Sequence, residues 1–535
     1  MPQENTDPDT LATMKNAAAA TPDHGHICYW LLFAVVLMET FAVFANGAYF
    51  LVSMTVCVVG SWALLAGALY ARGGAAVLFL DRAAAFPLHL MAAFWVWVGA
   101  SIFWAHAPDL AWIEFNRTGG YLALLAIGIL VGAARMPRHL PLLLFLLVTV
   151  AGSAYGLGAK LFPSLIENTD SLARISVPMG YTNAMGLLAA LGVPLALSLA
   201  VNAATGWYYR LIAAASLPLL FISLFFTVSR GAMLALCIGL LVMFMVAPAR
   251  LRILAMLLLA LVPAVLVSWW GNNQEALMLD KADLGLRLQA AGPLRLYTAI
   301  AIASVSLTFV AALLAGARVS FPSWVRNTAG VVIITALVCA SVLHVWFFLA
   351  EKPSTTEWAR DAYHEFTTGK TSKLGAARLL QVGSQGRFRL WQEAMDNWSD
   401  NRLAGTGAQS FPLVHLQRQD FDSPFVKQPH GLPFRLLTEL GAAGFIIGYL
   451  AIAAISVSSL MLVCSLRPRR WDRLYASGLI TFMTVYLVHS GYDWDWNMFA
   501  LTAGYFFLGG LCIGWQTMSH CEVGGRSRGR RYHQL

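Results

Sequence analysis

Residues 253–270 read ILAMLLLALVPAVLVSWW, eighteen positions without a charge. Residues 27–47 (ICYWLLFAVVLMETFAVFANG), with Glu39 as their one charge, and 231–247 (GAMLALCIGLLVMFMVA) are similarly apolar. A spanning helix needs about 20 mostly apolar residues, and these stretches meet or approach that length. The chain reads as all-α, a polytopic transmembrane bundle of about fourteen helices. They fall roughly at 27–47, 49–70, 83–104, 113–134, 139–158, 182–203, 209–228, 231–248, 253–271, 295–316, 327–350, 433–465, 474–492 and 498–516. One long polar segment, Glu351 to Pro429, interrupts the series. It reads as a single large extracytoplasmic loop containing short helices, and water-facing chemistry belongs there.

Composition agrees. The 535 residues are 58% hydrophobic and 12% charged, about half the charge fraction of a soluble protein. Mean hydropathy is +0.65. Residues 1–26 are polar and mildly acidic, with Lys15 the one basic residue. They lack the basic start and short apolar core of a signal peptide, so the first helix is expected to stay.

Orientation follows from where Lys and Arg fall. With residues 1–26 inside, that segment, the alternate connections and the tail at 517–535 together hold 18 of the 36 basic residues but seven of the 27 acidic ones. That asymmetry puts both termini in the cytoplasm and the loop 351–432 outside. It divides the chain into a cytoplasmic tail at 1–26, eleven helices over 27–350, the loop, three helices over 433–516, and the basic tail. The net charge of +9 is then an orientation signal rather than a sign of nucleic-acid binding. None of the seven cysteines lies in the loop, and no metal-spaced Cys/His cluster appears.

Several features stand out on the outer face. At Thr227-Val228-Ser229-Arg230-Gly231-Ala232 one helix ends and the next turns straight back. Arg230 is either an interfacial arginine snorkelling to water or a phosphate ligand, since guanidinium offers a planar donor fork suited to phosphate oxygens. In Gly386–Met395, followed by Trp398, Leu390, Trp391, Ala394, Met395 and Trp398 recur at helical spacing. This predicts an amphipathic helix with Arg387 and Arg389 at its start. A helix N-terminus already favours anions, so cations there mark either a solvated face or an incoming phosphate. The helix is followed by a glycine turn, Gly405-Thr406-Gly407.

His430 stands just before Pro433, which suits the first turn of a helix. It is either a hydrogen-bonded boundary residue or a proton acceptor. Arg435 and Glu439 share a helix face as an i,i+4 ion pair. Arg174 precedes Gly180-Tyr181-Thr182-Asn183, and Tyr492-Asp493-Trp494-Asp495-Trp496 caps a late helix. The Asp-Trp-Asp triplet reads as part of an aromatic belt, with a metal site as the alternative.

In this order the motifs resemble the O-antigen ligase and polymerase superfamily of bacterial membrane glycosyltransferases. The matching features are Arg174 with Gly180–Asn183, Ser229–Ala232, Gly386-Arg387 with Trp391 and Ala394, the Gly405–Gly407 turn, and His430 followed by Glu439-Leu440-Gly441. The similarity spans roughly residues 110 to 510. It implies transfer of a glycan en bloc from undecaprenyl pyrophosphate to an acceptor hydroxyl, with no nucleotide sugar, metal or other cofactor. Carried over by position, Arg230 and Arg387 hold the pyrophosphate, with Arg174 and Arg389 beside them. His430 assists the acceptor, and Ser229, Trp391, Arg435 and Glu439 support the site. The family often has an asparagine after the histidine, whereas this chain has Gly431. The acceptor is a glycan, a lipid or a protein; membrane lipids surround the chain, and no nucleic acid is involved. The localisation implied is the bacterial inner membrane. A polymerase of the same superfamily is the nearest alternative, and a polysaccharide or lipid transporter the alternative from another class. Transporters place ionisable residues near the bilayer midplane, and here only Glu39, Glu114, Arg117, Arg435 and Glu439 are candidates for that.

Overall fold

The structure, a computed structural model, describes residues 25–71, 82–168, 173–280, 282–316, 355–368, 383–384, 386–419, 425–466 and 470–532, with single positions between 324 and 339. Among these residues there are seventeen α-helices and no strand. The first nine are α1 (Gly25–Phe44), α2 (Leu51–Ala71), α3 (Arg82–Ala100), α4 (Pro108–Gly132), α5 (His139–Leu161), α6 (Thr182–Val201), α7 (Trp207–Thr227), α8 (Arg230–Val246) and α9 (Arg250–Asn272). A short α10 (Glu275–Met278) leads to α11 (Leu284–Gly316). The polar segment carries α12 (Thr355–Thr368), α13 (Arg387–Asp400) and α14 (Phe411–Arg418). The chain closes with α15 (Leu432–Ser465), α16 (Arg470–Ser490) and α17 (Phe499–Tyr532).

Eleven of these helices are long and apolar enough to cross a membrane. Two further expected spans are present as helices: α8 is apolar but only 17 residues long, and α16 carries Arg470, Asp472 and Arg473 in its first turn. The expected span at 327–350 lies largely outside the described residues. The expected start of the tenth span at 295 is corrected to Leu284. Leu284–Ala291 continues the helix but carries Arg287, which hid it from an apolar reading.

The middle of the bundle is dry. In α6 every residue but Asn183 is buried, and a helix hydrophobic all round belongs in such a core. Two local devices set the end of the bundle that matters below. At the α7–α8 corner Val228 takes a left-handed conformation, and the Ser229 hydroxyl caps α8 by accepting from the Ala232 N–H at 3.3 Å. In α15 the helix breaks at Gly441, where φ is +65°. The turn after α13 docks into that break: the Ala442 and Ala443 N–H groups donate to the carbonyls of Arg402 (2.7 Å) and Leu403 (3.2 Å). Leu390 and Ala394 of α13 pack on Phe411 and Val414 of α14, against Phe434 of α15.

A buried polar lattice fastens these parts to α4. Glu114 accepts from Arg435 Nη2 (2.8 Å), Gln409 Nε2 (2.9 Å), Trp496 Nε1 (2.6 Å) and Arg117. Arg435 also donates to Glu439 (3.0 Å) and Asn497 (2.8 Å), and the Gln409 N–H donates to Glu439 at 2.8 Å. Buried charges persist only when paired in this way. Glu439 Oε1 and Arg117 Nε alone in this lattice lack a partner.

Candidate functional site

At the same end of the bundle, three separate segments of the chain meet on one carboxylate of a fourth. Asp493, in the turn between α16 and α17, is 2% exposed. Arg387 Nη2 donates to its Oδ2 at 2.8 Å. Asn183 Nδ2 donates to the same oxygen at 2.8 Å, and the Tyr181 hydroxyl donates to Oδ1 at 3.1 Å. His430 Nδ1 stands 3.3 Å from Oδ1. That nitrogen makes no aligned hydrogen bond, so the imidazole and carboxylate are near enough to pair without being locked together.

The sequence places each group locally. Tyr181 and Asn183 sit at the N-terminus of α6. Arg387 opens α13 after Gly386, whose φ is +83°. His430 has a φ of +53°, sparsely populated for a residue with a Cβ. Strain of that kind gathers where a side chain must be aimed. The Trp391 indole N–H donates to the His430 carbonyl at 2.6 Å and holds this turn. Gly431 follows with a φ of +150°, and a Cβ there would meet the Gly491 carbonyl at 2.9 Å. The missing asparagine therefore has a backbone reason.

The other arginines join at one remove. Arg174 donates through Nε to the Thr227 carbonyl (2.9 Å) and through Nη2 to Asn183 Oδ1 (3.1 Å). Arg230 Nη2 donates to the Gly383 carbonyl at 3.0 Å, four residues before Arg387. The Tyr492 hydroxyl donates to the Gly231 carbonyl at 2.5 Å, tying the Asp493 turn to the start of α8.

Arg389 does not join this group. Its Nε donates to Glu393 at 3.2 Å, and Glu393 also pairs with His415 at 2.6 Å. Arg435 and Glu439 form their i,i+4 pair inside the buried lattice, away from Asp493. The residue missed in the sequence is Asp493 itself. Both acids of the Asp-Trp-Asp triplet are taken up by nearby groups, Asp493 as above and Asp495 by His489 Nδ1 at 2.6 Å.

Charge is set by these neighbours. Burial works to raise the Asp493 carboxyl, but Arg387, then His430 and His489, override it and hold it well below the usual carboxylate range. A depressed carboxyl contributes stability above its unfolded pKa of about 3.9 and loses it only as pH falls through the lower folded value. Asp493 is thus anionic throughout the neutral range. Burial lowers Arg387, yet the Asp493 carboxylate outweighs this and raises it. Burial and then Asp493 push Tyr181 up, so it stays a protonated donor. The result is a fixed carboxylate with a guanidinium and an imidazole on its two oxygens, and with Arg174 one residue away through Asn183.

No curated protein matches the chain. A family model described as O-antigen ligase matches residues 288–449, a span that includes Arg387, Trp391 and His430 and leaves Arg174, Arg230 and Asp493 outside. Members of that family are membrane glycosyltransferase-like enzymes, and this segment, under a third of the chain, is similar to them.

Proposed function

We propose that the protein transfers a glycan en bloc from undecaprenyl pyrophosphate to an acceptor hydroxyl at the outer face of the bacterial inner membrane, with both termini in the cytoplasm. The observation that carries this reading is the meeting of Arg387 and His430 on Asp493. In the reaction the acceptor oxygen forms a bond to the anomeric carbon as the bond from that carbon to the pyrophosphate oxygen breaks. The pyrophosphate leaves with the electron pair. Attack opposite the leaving group inverts the anomeric centre.

Arg387, with Arg230 and Arg174, faces the charge that builds on the departing oxygen. Fixed donors aimed at developing charge are worth about 10²–10³ in rate each. His430 takes the proton of the acceptor hydroxyl on Nε2. Asp493 lies on the Nδ1 side, orients the ring and stabilises the imidazolium that forms, a division of labour known from other base–carboxylate pairs. Trp391 holds the His430 backbone, and the α8 cap at Ser229 fixes Arg230.

The test is transfer by the purified protein in detergent, with an undecaprenyl-pyrophosphate-linked glycan and an acceptor but no vesicle. The wild type is expected to transfer, and His430→Ala to lose activity while its melting temperature holds. Full transfer by His430→Ala, or none by the wild type, overturns the proposal. Ligase and polymerase share this donor, and a deletion strain separates them. Long chains accumulating on the carrier lipid indicate a ligase, whereas single repeats left attached to the acceptor indicate a polymerase.

A further inference from the structure

A second cleft of about 560 Å³ opens beside α13, within the range of roughly 300–1,000 Å³ typical of small-ligand sites. One wall is aromatic. Trp391 and Phe434 stack with ring centroids 4.8 Å apart and planes 10° from parallel, and Phe388 lies beside them. The rest is Met395 and five polar residues: Arg389, Gln392, Glu393, Asp396 and Arg418.

These polar groups have two properties that select a ligand. Their charges balance, two arginines against two carboxylates, so the lining does not favour an anion such as phosphate. The arginines are also held in place, Arg389 by Glu393 at 3.2 Å and Arg418 by Asp400 at 2.6 Å. Glu393 is itself gripped by His415 at 2.6 Å. An aromatic wall ringed by polar donors and acceptors suits a pyranose, whose C–H groups lie on aromatic carbon while its hydroxyls reach outward. We propose that this cleft is a saccharide subsite.

Its position ties the saccharide to the transfer reaction. Trp391 forms the wall and donates to the His430 carbonyl, so the cleft adjoins the transfer site. In the reaction, which rests on the function proposed above, the bound sugars belong either to the acceptor or to the glycan being moved. Arg389, expected on the pyrophosphate, instead serves this cleft.

Binding can be measured without turnover. The probe is the oligosaccharide released by mild acid from the envelope glycan of the producing cell, titrated into full-length protein in detergent and followed by saturation-transfer NMR. Saturable binding is expected for the wild type and for His430→Ala. Gln392→Ala and Arg418→Ala, at exposed positions, are expected to weaken it tenfold or more. Absence of saturable binding by the wild type, unchanged binding in both variants, or equal competition by a serine-containing peptide overturns the assignment, whatever the transfer assay gives. In the transfer assay the same variants raise one KM at unchanged kcat. A raised acceptor KM assigns the sugars to the acceptor, a raised donor KM assigns them to the donor, and no change in either overturns the subsite.

Discussion

The Glu114–Arg435 lattice and the Asp493 cluster are both built on arginine paired with a buried carboxylate, and one short segment, 493–497, contributes to both. In the lattice, Arg435 and Glu114 side chains are each 5% exposed and bonded to protein groups from several directions. In the cluster, Arg387 and His430 side chains remain 17% and 19% exposed, and the His430–Asp493 contact is close without being aligned. A buried ion network sealed from solvent holds parts together. The same chemistry left partly open can accept a ligand. Arginine beside a carboxylate does not by itself mark a site; the site is where the cationic partners stay accessible.

The sharpest way to break this contrast is to remove one arginine from each region. Arg435→Ala leaves Glu114 and Glu439 buried without their main partner, and breaking a buried pair costs about 3–5 kcal/mol. Yield and melting temperature in detergent should fall steeply. Arg387→Ala also takes the main partner from buried Asp493, but Asn183, Tyr181 and His430 stay on that carboxylate, so stability should fall less while transfer drops by about 10²–10³, the usual loss for one fixed donor. If the two variants melt alike, the division between the regions fails.

Gly431→Asn restores the residue common in the family but forces a Cβ into a left-handed backbone against the Gly491 carbonyl. Strain of that type costs about 1–3 kcal/mol, so a lower melting temperature is expected with transfer reduced through the displaced His430. Wild-type stability and activity in this variant would show that Gly431 is not needed for the turn. The smallest effect belongs to Ser229→Ala, where loss of the α8 cap costs about 1 kcal/mol. It should soften the Arg230 corner and raise the donor KM slightly, leaving Arg435 and its partners unaffected.

Much of this was legible in the sequence. The helix series, the α7–α8 corner and the amphipathic α13 follow from apolar runs, turn residues and helical period, whereas the break at Gly441 lies inside a span expected to run unbroken over 433–465. Arg389 could have been set apart from Arg387 as well, since two residues along a helix turn a side chain through about 200°, onto the far face. Asp493 was hidden for a different reason. Between Tyr492, Trp494 and Trp496 it looks like a member of an interfacial aromatic set, and only the tertiary meeting of residues 181, 183, 387 and 430 makes it the centre. Sequence spacing has no access to that convergence. The lattice was half legible: the Arg435–Glu439 spacing gave the pair, but Glu114 and Gln409 come from distant segments.

Asp493→Asn tests the central claim most directly. The substitution keeps the size of the side chain and removes the charge that holds Arg387 beside His430. Measured with purified protein in detergent, the donor lipid and acceptor, transfer should drop by at least about tenfold while the protein still folds and melts as a single species. Transfer at the wild-type rate by this variant would contradict the account, because the guanidinium and the imidazole would then be assembled by something other than Asp493.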